Sequence, residues 1–187
     1  MKEEVFQMLL DYTDCASQYA NAYQINQAIQ ENRLYRIERG IYATTPHVSE
    51  LAIIQKKYPK AIFTMDSAFY YHGLTTDIPD LYHIATPAKS ARLRDKRIRQ
   101  VFVNDSIFTL GQVEQVHEGT PIRIYNKERM LIELLRYKDK LPYDYYKEIL
   151  RHYRAIIDQL DIEQVQEYAA IFPKSDILWK RLDEEVF

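Results

Sequence analysis

Residues 23–43, YQINQAIQENRLYRIERGIYA, change their hydrophobic period halfway along, and that change decides the fold. In the first half Ile25, Ala28 and Ile29 share one helical face, and Tyr23, Asn26, Gln27 and Gln30 occupy the opposite one. After Asn32 the pattern alternates with period two through residues 34–43. Arg39-Gly40 supplies the turn, because glycine accepts the positive φ that a tight hairpin demands. A helix delivered straight into a small hairpin predicts the reading helix and wing of a winged helix-turn-helix domain.

The residues upstream complete that domain, placed at 1–45. Val5 with Leu9 and Phe6 with Leu10 stand four apart, so residues 2–12 are expected to form a short amphipathic helix. Asp14 is expected to cap a second helix over residues 15–20, with a turn at Asn21 and Ala22. In a winged helix the third helix enters the major groove and the wing lies along the backbone or minor groove. Asn and Gln pair bidentately with adenine, and Tyr reaches phosphate or a thymine methyl, so Tyr23, Asn26, Gln27 and Gln30 are candidate base-reading residues. Arg33, Arg36 and Arg39 would meet phosphate or the minor groove. A polar helix face also suits plain solvation; the hairpin that follows at once favours the reading helix.

Beyond a linker at residues 45–49, a larger domain is expected over residues 51–187. Its first part, 60–125, mixes strands and helices. Residues 61–64, 81–86 and 99–103 read as strands, residues 66–72 as a helix closed by Gly73, and residues 113–125 as a hairpin around Glu118-Gly119. Residues 127–186 read as helices only. Asn126 caps the first, which places Met130, Leu131, Leu134 and Leu135 on one face. A long helix is expected over 143–159, a third opened by an Asp161/Gln164 capping box, and a last one capped by Ser175. The fold class is therefore α+β: a winged helix-turn-helix joined to a mixed α/β domain that ends in a bundle-like region.

The 187 residues carry 25 basic and 27 acidic side chains, a formal net charge of -2. The balance is uneven along the chain. Residues 1–50 sum to -3 and residues 51–100 to +5, while the last two segments, 101–150 and 151–187, sum to -1 and -3. The positive excess centres on Lys89, Arg92, Arg94, Lys96, Arg97 and Arg99. This block suits DNA phosphates beside the wing, an acidic protein partner, or solvation alone. An acidic reading domain weighs against tight DNA binding, which rests on neutralised phosphates.

Enzyme signatures are not apparent in the sequence. It has no Gly-rich phosphate loop, no metal-ligand His pair at helical spacing and no motif around a reactive Ser or Cys. Asp66, Ser67 and His72 are close in sequence, but they read as the opening and end of a short helix rather than a triad. Glu148 and His152 read as a surface pair. The lone Cys15 reads as a small packed hydrophobe and excludes an intrachain disulfide framework. With no membrane-length apolar run and no leader-like start, a cytoplasmic protein without cofactor or metal is expected.

Three segments carry a resemblance to a known family: "NRLYRIERGIYA", "YPKAIFTMDSAFYYHGLTTDIPDLYHIATPAKSARL" and "GTPIRIYNKERMLIELLRYKDKLPYDYYKEILRHY". In this order they resemble the AbiEi-type antitoxins and transcriptional regulators of type IV toxin-antitoxin systems, which act in abortive infection. The middle segment is the most specific, with Ser-Ala, His-Gly-Leu, a Pro-containing loop and a strand ending in Thr-Pro. The resemblance implies a winged-helix domain that represses its own operon through inverted repeats in operator DNA. It also implies a C-terminal antitoxin domain that counteracts a nucleotidyltransferase-like toxin. An antitoxin module without significant DNA binding is the alternative.

Overall fold

The computed structural model describes residues 9–187, which divide into two compact units with the boundary between Pro59 and Lys60. Both contain helices and a sheet, so the chain is α+β.

The first unit is built on a three-stranded antiparallel sheet in the order β1-β3-β2, with β1 at Leu9–Asp11, β2 at Tyr35–Glu38 and β3 at Ile41–Ala43. The expected helix over residues 2–12 is corrected here. Leu9–Asp11 is extended and pairs with Ile41–Ala43, while the earlier part of that segment lies outside the described residues. The strand places Leu10 opposite Tyr42, and both are buried in one cluster with Cys15, Ile25, Ala28 and Leu34. Burying an aliphatic side chain of this size stabilises by about 1.5–3 kcal/mol, more than local helix propensity can offset.

Asp11, rather than Asp14, caps the first helix, α1 (Tyr12–Gln18). Its carboxylate accepts from the Asp14 amide at 2.9 Å, and the Asp14 carboxylate accepts from the Asp11 amide at 2.9 Å. Asn21 is likewise a cap rather than a turn residue, since its side chain accepts from the Gln24 amide at the start of α2 (Ala22–Gln30). Gly40 sits at φ +79°, and the hairpin is bulged between Arg36 and Glu38. Helix α3 (Glu50–Lys57) buries Leu51, Ile53 and Ile54 and packs beside β1. The unit boundary therefore lies after α3, not between residues 45 and 51.

The second unit holds a five-stranded mixed sheet in the order β6-β5-β4-β8-β7. The strands are β4 (Ile62–Phe63), β5 (Tyr82–Pro87), β6 (Ile98–Val103), β7 (Gln112–His117) and β8 (Thr120–Tyr125). Pairs β4/β8 and β5/β6 are parallel, and β4/β5 and β7/β8 are antiparallel. Helix α4 (Met65–Tyr71) follows β4 and packs on β5. The helices α5 (Lys127–Tyr137), α6 (Tyr143–Ala155), α7 (Ile162–Ile171) and α8 (Ser175–Glu185) then assemble around α5.

Helix α5 is buried along its whole middle, not on one face. Every residue from Arg129 to Leu135 is enclosed. Arg129 is fully buried between the rings of Tyr125 and Phe172 and donates to Glu133 at 2.7 Å, while Arg136 reaches the other Glu133 oxygen at 2.7 Å. The long helix expected over 143–159 ends at Ala155, with one 3-10 turn at Ile157–Gln159. Gln164 does not close a capping box on Asp161; its side chain accepts from Asn126 Nδ2 at 2.6 Å and joins α7 to the start of α5. The last helix is entered through Lys174 at φ +63°, with Ser175 its first residue rather than its cap. Among the described residues no helix is long and apolar enough to cross a membrane.

Candidate nucleic-acid interface

In the first unit, the apolar side of α2 is enclosed and its amide side is open. Ile25 and Ala28 are buried and Ile29 packs against the same cluster, whereas Tyr23, Asn26, Gln27 and Gln30 are all exposed. Tyr23 is 75% exposed, a large ring that the packing of this unit does not use.

The three arginines differ in how free they are. Arg33 is bound to Glu31 through two nitrogens, and Glu31 also accepts from Gln27 Nε2 at 2.9 Å. The Arg33 guanidinium, followed by the Gln27 amide, holds the Glu31 carboxyl below its usual range. Arg36 on β2 and Arg39 at the turn are exposed, and no carboxylate among the described residues pairs with either. The hairpin thus presents two cations, and the end of α2 presents an internally neutralised pair.

Ion pairs within the unit also account for most of its described acidic residues. Lys56 lies against Asp14 and 3.7 Å from Asp11, and Lys57 is 3.1 Å from Glu38. The Lys56 ammonium, together with the Asp11 amide, holds the Asp14 carboxyl below its usual value. With α3 included, residues 1–59 contain six basic and seven acidic side chains, so the deficit of -3 read over residues 1–50 shrinks to -1.

In the second unit, the basic block forms an irregular crossover between the parallel strands β5 and β6. Lys89, Arg92, Arg94 and Lys96 are exposed along it. Arg97 is tied down, since its Nε and Nη2 reach Asp95 at 3.0 and 2.8 Å, which explains the lone acid inside the block. Arg99 is not in the loop but on β6, directly opposite His83 of β5. The loop is held by Gln100, whose Oε1 accepts from the Leu93 amide at 2.8 Å. Its Nε2 donates to Thr86 Oγ1 at 2.8 Å and to the Ala91 carbonyl at 3.1 Å.

Residues adjacent in sequence part company in the second unit. Ser67 Oγ accepts from the His83 amide at 2.8 Å, His72 Nε2 lies 2.7 Å from the Tyr125 carbonyl oxygen, and Asp66 faces His83. Glu148 and His152 are not a solvent pair. Glu148 accepts from Thr75 Oγ1 at 2.9 Å, and His152 Nδ1 lies 2.8 Å from the Leu74 carbonyl oxygen, so both clamp the chain that leaves α4. Sequence reading missed Gln100, His83 and the buried Arg129 pair. Only Arg129 leaves a signal, a charge among the apolar residues of α5.

No protein-family model and no curated protein matches the chain. Among solved structures it is similar to the RV2827C protein from Mycobacterium tuberculosis, at a TM-score of 0.64 and 15% identity, over 96% of this chain and 71% of that one. At that identity the likeness is one of fold.

Proposed function

We propose that the first unit is a winged helix-turn-helix domain that binds operator DNA, with α2 in the major groove and the β2/β3 hairpin as the wing. The observation that carries this reading is the exposed, uncharged face of Tyr23, Asn26, Gln27 and Gln30, followed at once by a hairpin that offers Arg36 and Arg39. The exposed loop cations Lys89, Arg92, Arg94 and Lys96 are assigned to phosphate contact or to an acidic partner surface. Two copies on an inverted repeat would follow the usual geometry of such readers.

The second unit is assigned the antitoxin role, on the resemblance of the three segments to AbiEi-type antitoxins. The chain then represses its own operon and counteracts a nucleotidyltransferase-like toxin, without catalysis of its own. Fluorescence anisotropy with the DNA upstream of its gene tests the first assignment. Asn26→Ala with Arg36→Ala should weaken binding by about 10- to 100-fold, since one bidentate base contact is worth about 1–3 kcal/mol. Equal binding by wild type and variant would place the surface elsewhere. Growth rescue on co-expression with a nucleotidyltransferase-like toxin tests the second.

A further inference from the structure

A cavity of about 910 Å³ opens in the second unit between β5 and β6, residues 77–80, and the connection from α5 to α6. Its floor includes Met65, Asp66, His83 and Tyr145, none of them exposed, and its rim includes the exposed Asp77, Asp80, Arg99, Lys140 and Asp144. The DNA-binding reading uses none of the floor.

The floor is a converging polar arrangement built at some conformational expense. Met65 stands at φ +44°, a left-handed conformation that non-glycine residues seldom adopt and that tends to persist at functional sites. The next residue, Asp66, donates its amide to His83 Nδ1 at 3.3 Å. The Asp66 carboxylate oxygen Oδ2 lies 3.6 Å from the same ring nitrogen, and Tyr145 lines the same floor.

With Nδ1 accepting an amide proton, the neutral imidazole carries its own proton on Nε2. The His83 side chain is 9% exposed, yet Nε2 has no acceptor among the described residues and is not sealed in the interior. It is a donor held in place on a residue that lines the cavity.

The walls restrict what could accept from it. Tyr137, Phe102 and Ile78 supply flat or apolar surface at the sides. Asp77, Asp80 and Asp144 outnumber Arg99 and Lys140 on the rim, so the mouth is net negative and disfavours a polyanion. The described residues contain no cluster of three or more His, Cys, Asp or Glu able to hold a metal ion.

We propose that this cavity binds a planar, uncharged heteroaromatic molecule of the nucleoside class. A ring oxygen or nitrogen accepts from His83 Nε2, the ring lies against the aromatic wall, and amino or hydroxyl groups donate to the rim carboxylates. A pocket of this size with a few convergent polar groups suits such a ligand. The site lies wholly in the second unit and is independent of DNA binding, so the two readings fail separately.

The test is a titration of the full-length protein, followed by the side-chain NMR signals of His83, with adenosine, guanosine, cytidine and uridine, and in parallel with their monophosphates. At least one nucleoside should shift the Nε2 signal with a Kd at or below about 1 mM, and its monophosphate should bind more weakly. Tyr145→Phe, which keeps the ring, should weaken binding severalfold, and His83→Ala about tenfold or more. The proposal is overturned if no nucleoside moves the His83 signal at about 10 mM, if the monophosphates bind more tightly than the nucleosides, or if a folded His83→Ala binds equally well. Should His83→Ala fail to fold, the wild-type titration and Tyr145→Phe decide.

Discussion

Single residues bear unequal weight in this chain, and Glu133 bears more than most. Among the described residues it is the only carboxylate paired with the fully buried Arg129, and it also holds Arg136. Glu133→Ala would strand a guanidinium between two aromatic rings, and urea unfolding should show a loss of about 3–5 kcal/mol. Asn126→Ala should cost about 1–2 kcal/mol in the same assay, because the side chain caps α5 through the Arg129 amide and also donates to Gln164. Burial pushes the His72 and His83 imidazoles below the usual 6.5. The unfolded chain therefore takes up these protons first as pH falls, so their contribution is complete above that value and declines below it. The Asp14 carboxyl, held low by Lys56, loses its contribution only in a more acidic window, below 3.8. Denaturant midpoints measured from about pH 7 to about pH 5 should fall, and His72→Asn should flatten part of that slope.

Elements were legible where local rules set them. The hairpin with Gly40, the Asn126 cap and the Asp161 half of the α7 capping box stand as the sequence predicts, because each is decided within four or five residues. Leu9–Asp11 was not legible, since its partner strand begins at Ile41 and the same apolar spacing serves a helix until that partner is known. The end of α6 at Ala155 was hidden for a similar reason: apolar rhythm continues through Ile157 and Leu160 after the backbone has left the helix. At this scale the wing makes a measurable claim. If β2 lies along DNA, Arg36→Ala should lower the slope of log affinity against log salt by about 1 without changing sequence preference, as removal of one phosphate contact requires.

For the whole molecule, the boundary after Pro59 gives each part its own sheet and core. Residues 60–187 expressed alone should fold, giving a cooperative melt by circular dichroism with helical and strand signal intact; a broad, non-cooperative melt would contradict the division. The exposure of the amide face on α2 was legible, because it is a matter of helical period and needs no distant partner. The cavity was not. Its floor joins Asp66, His83 and Tyr145 from α4, β5 and α6, and sequence spacing contains nothing that brings these three together.

Gln100 has one further consequence. Its amide side chain anchors the middle of a crossover whose start is held by Asp105, and the exposed residues there include four lysines and arginines, each of them a trypsin cleavage site. The crossover is thus an internal reporter. Gln100→Ala should bring rapid cutting between β5 and β6 while the rest of the second unit resists digestion, and a partner seated on Lys89, Arg92, Arg94 or Lys96 should slow cutting in the unaltered protein. Mass spectrometry of timed digests, with and without operator DNA, would show whether those side chains are covered.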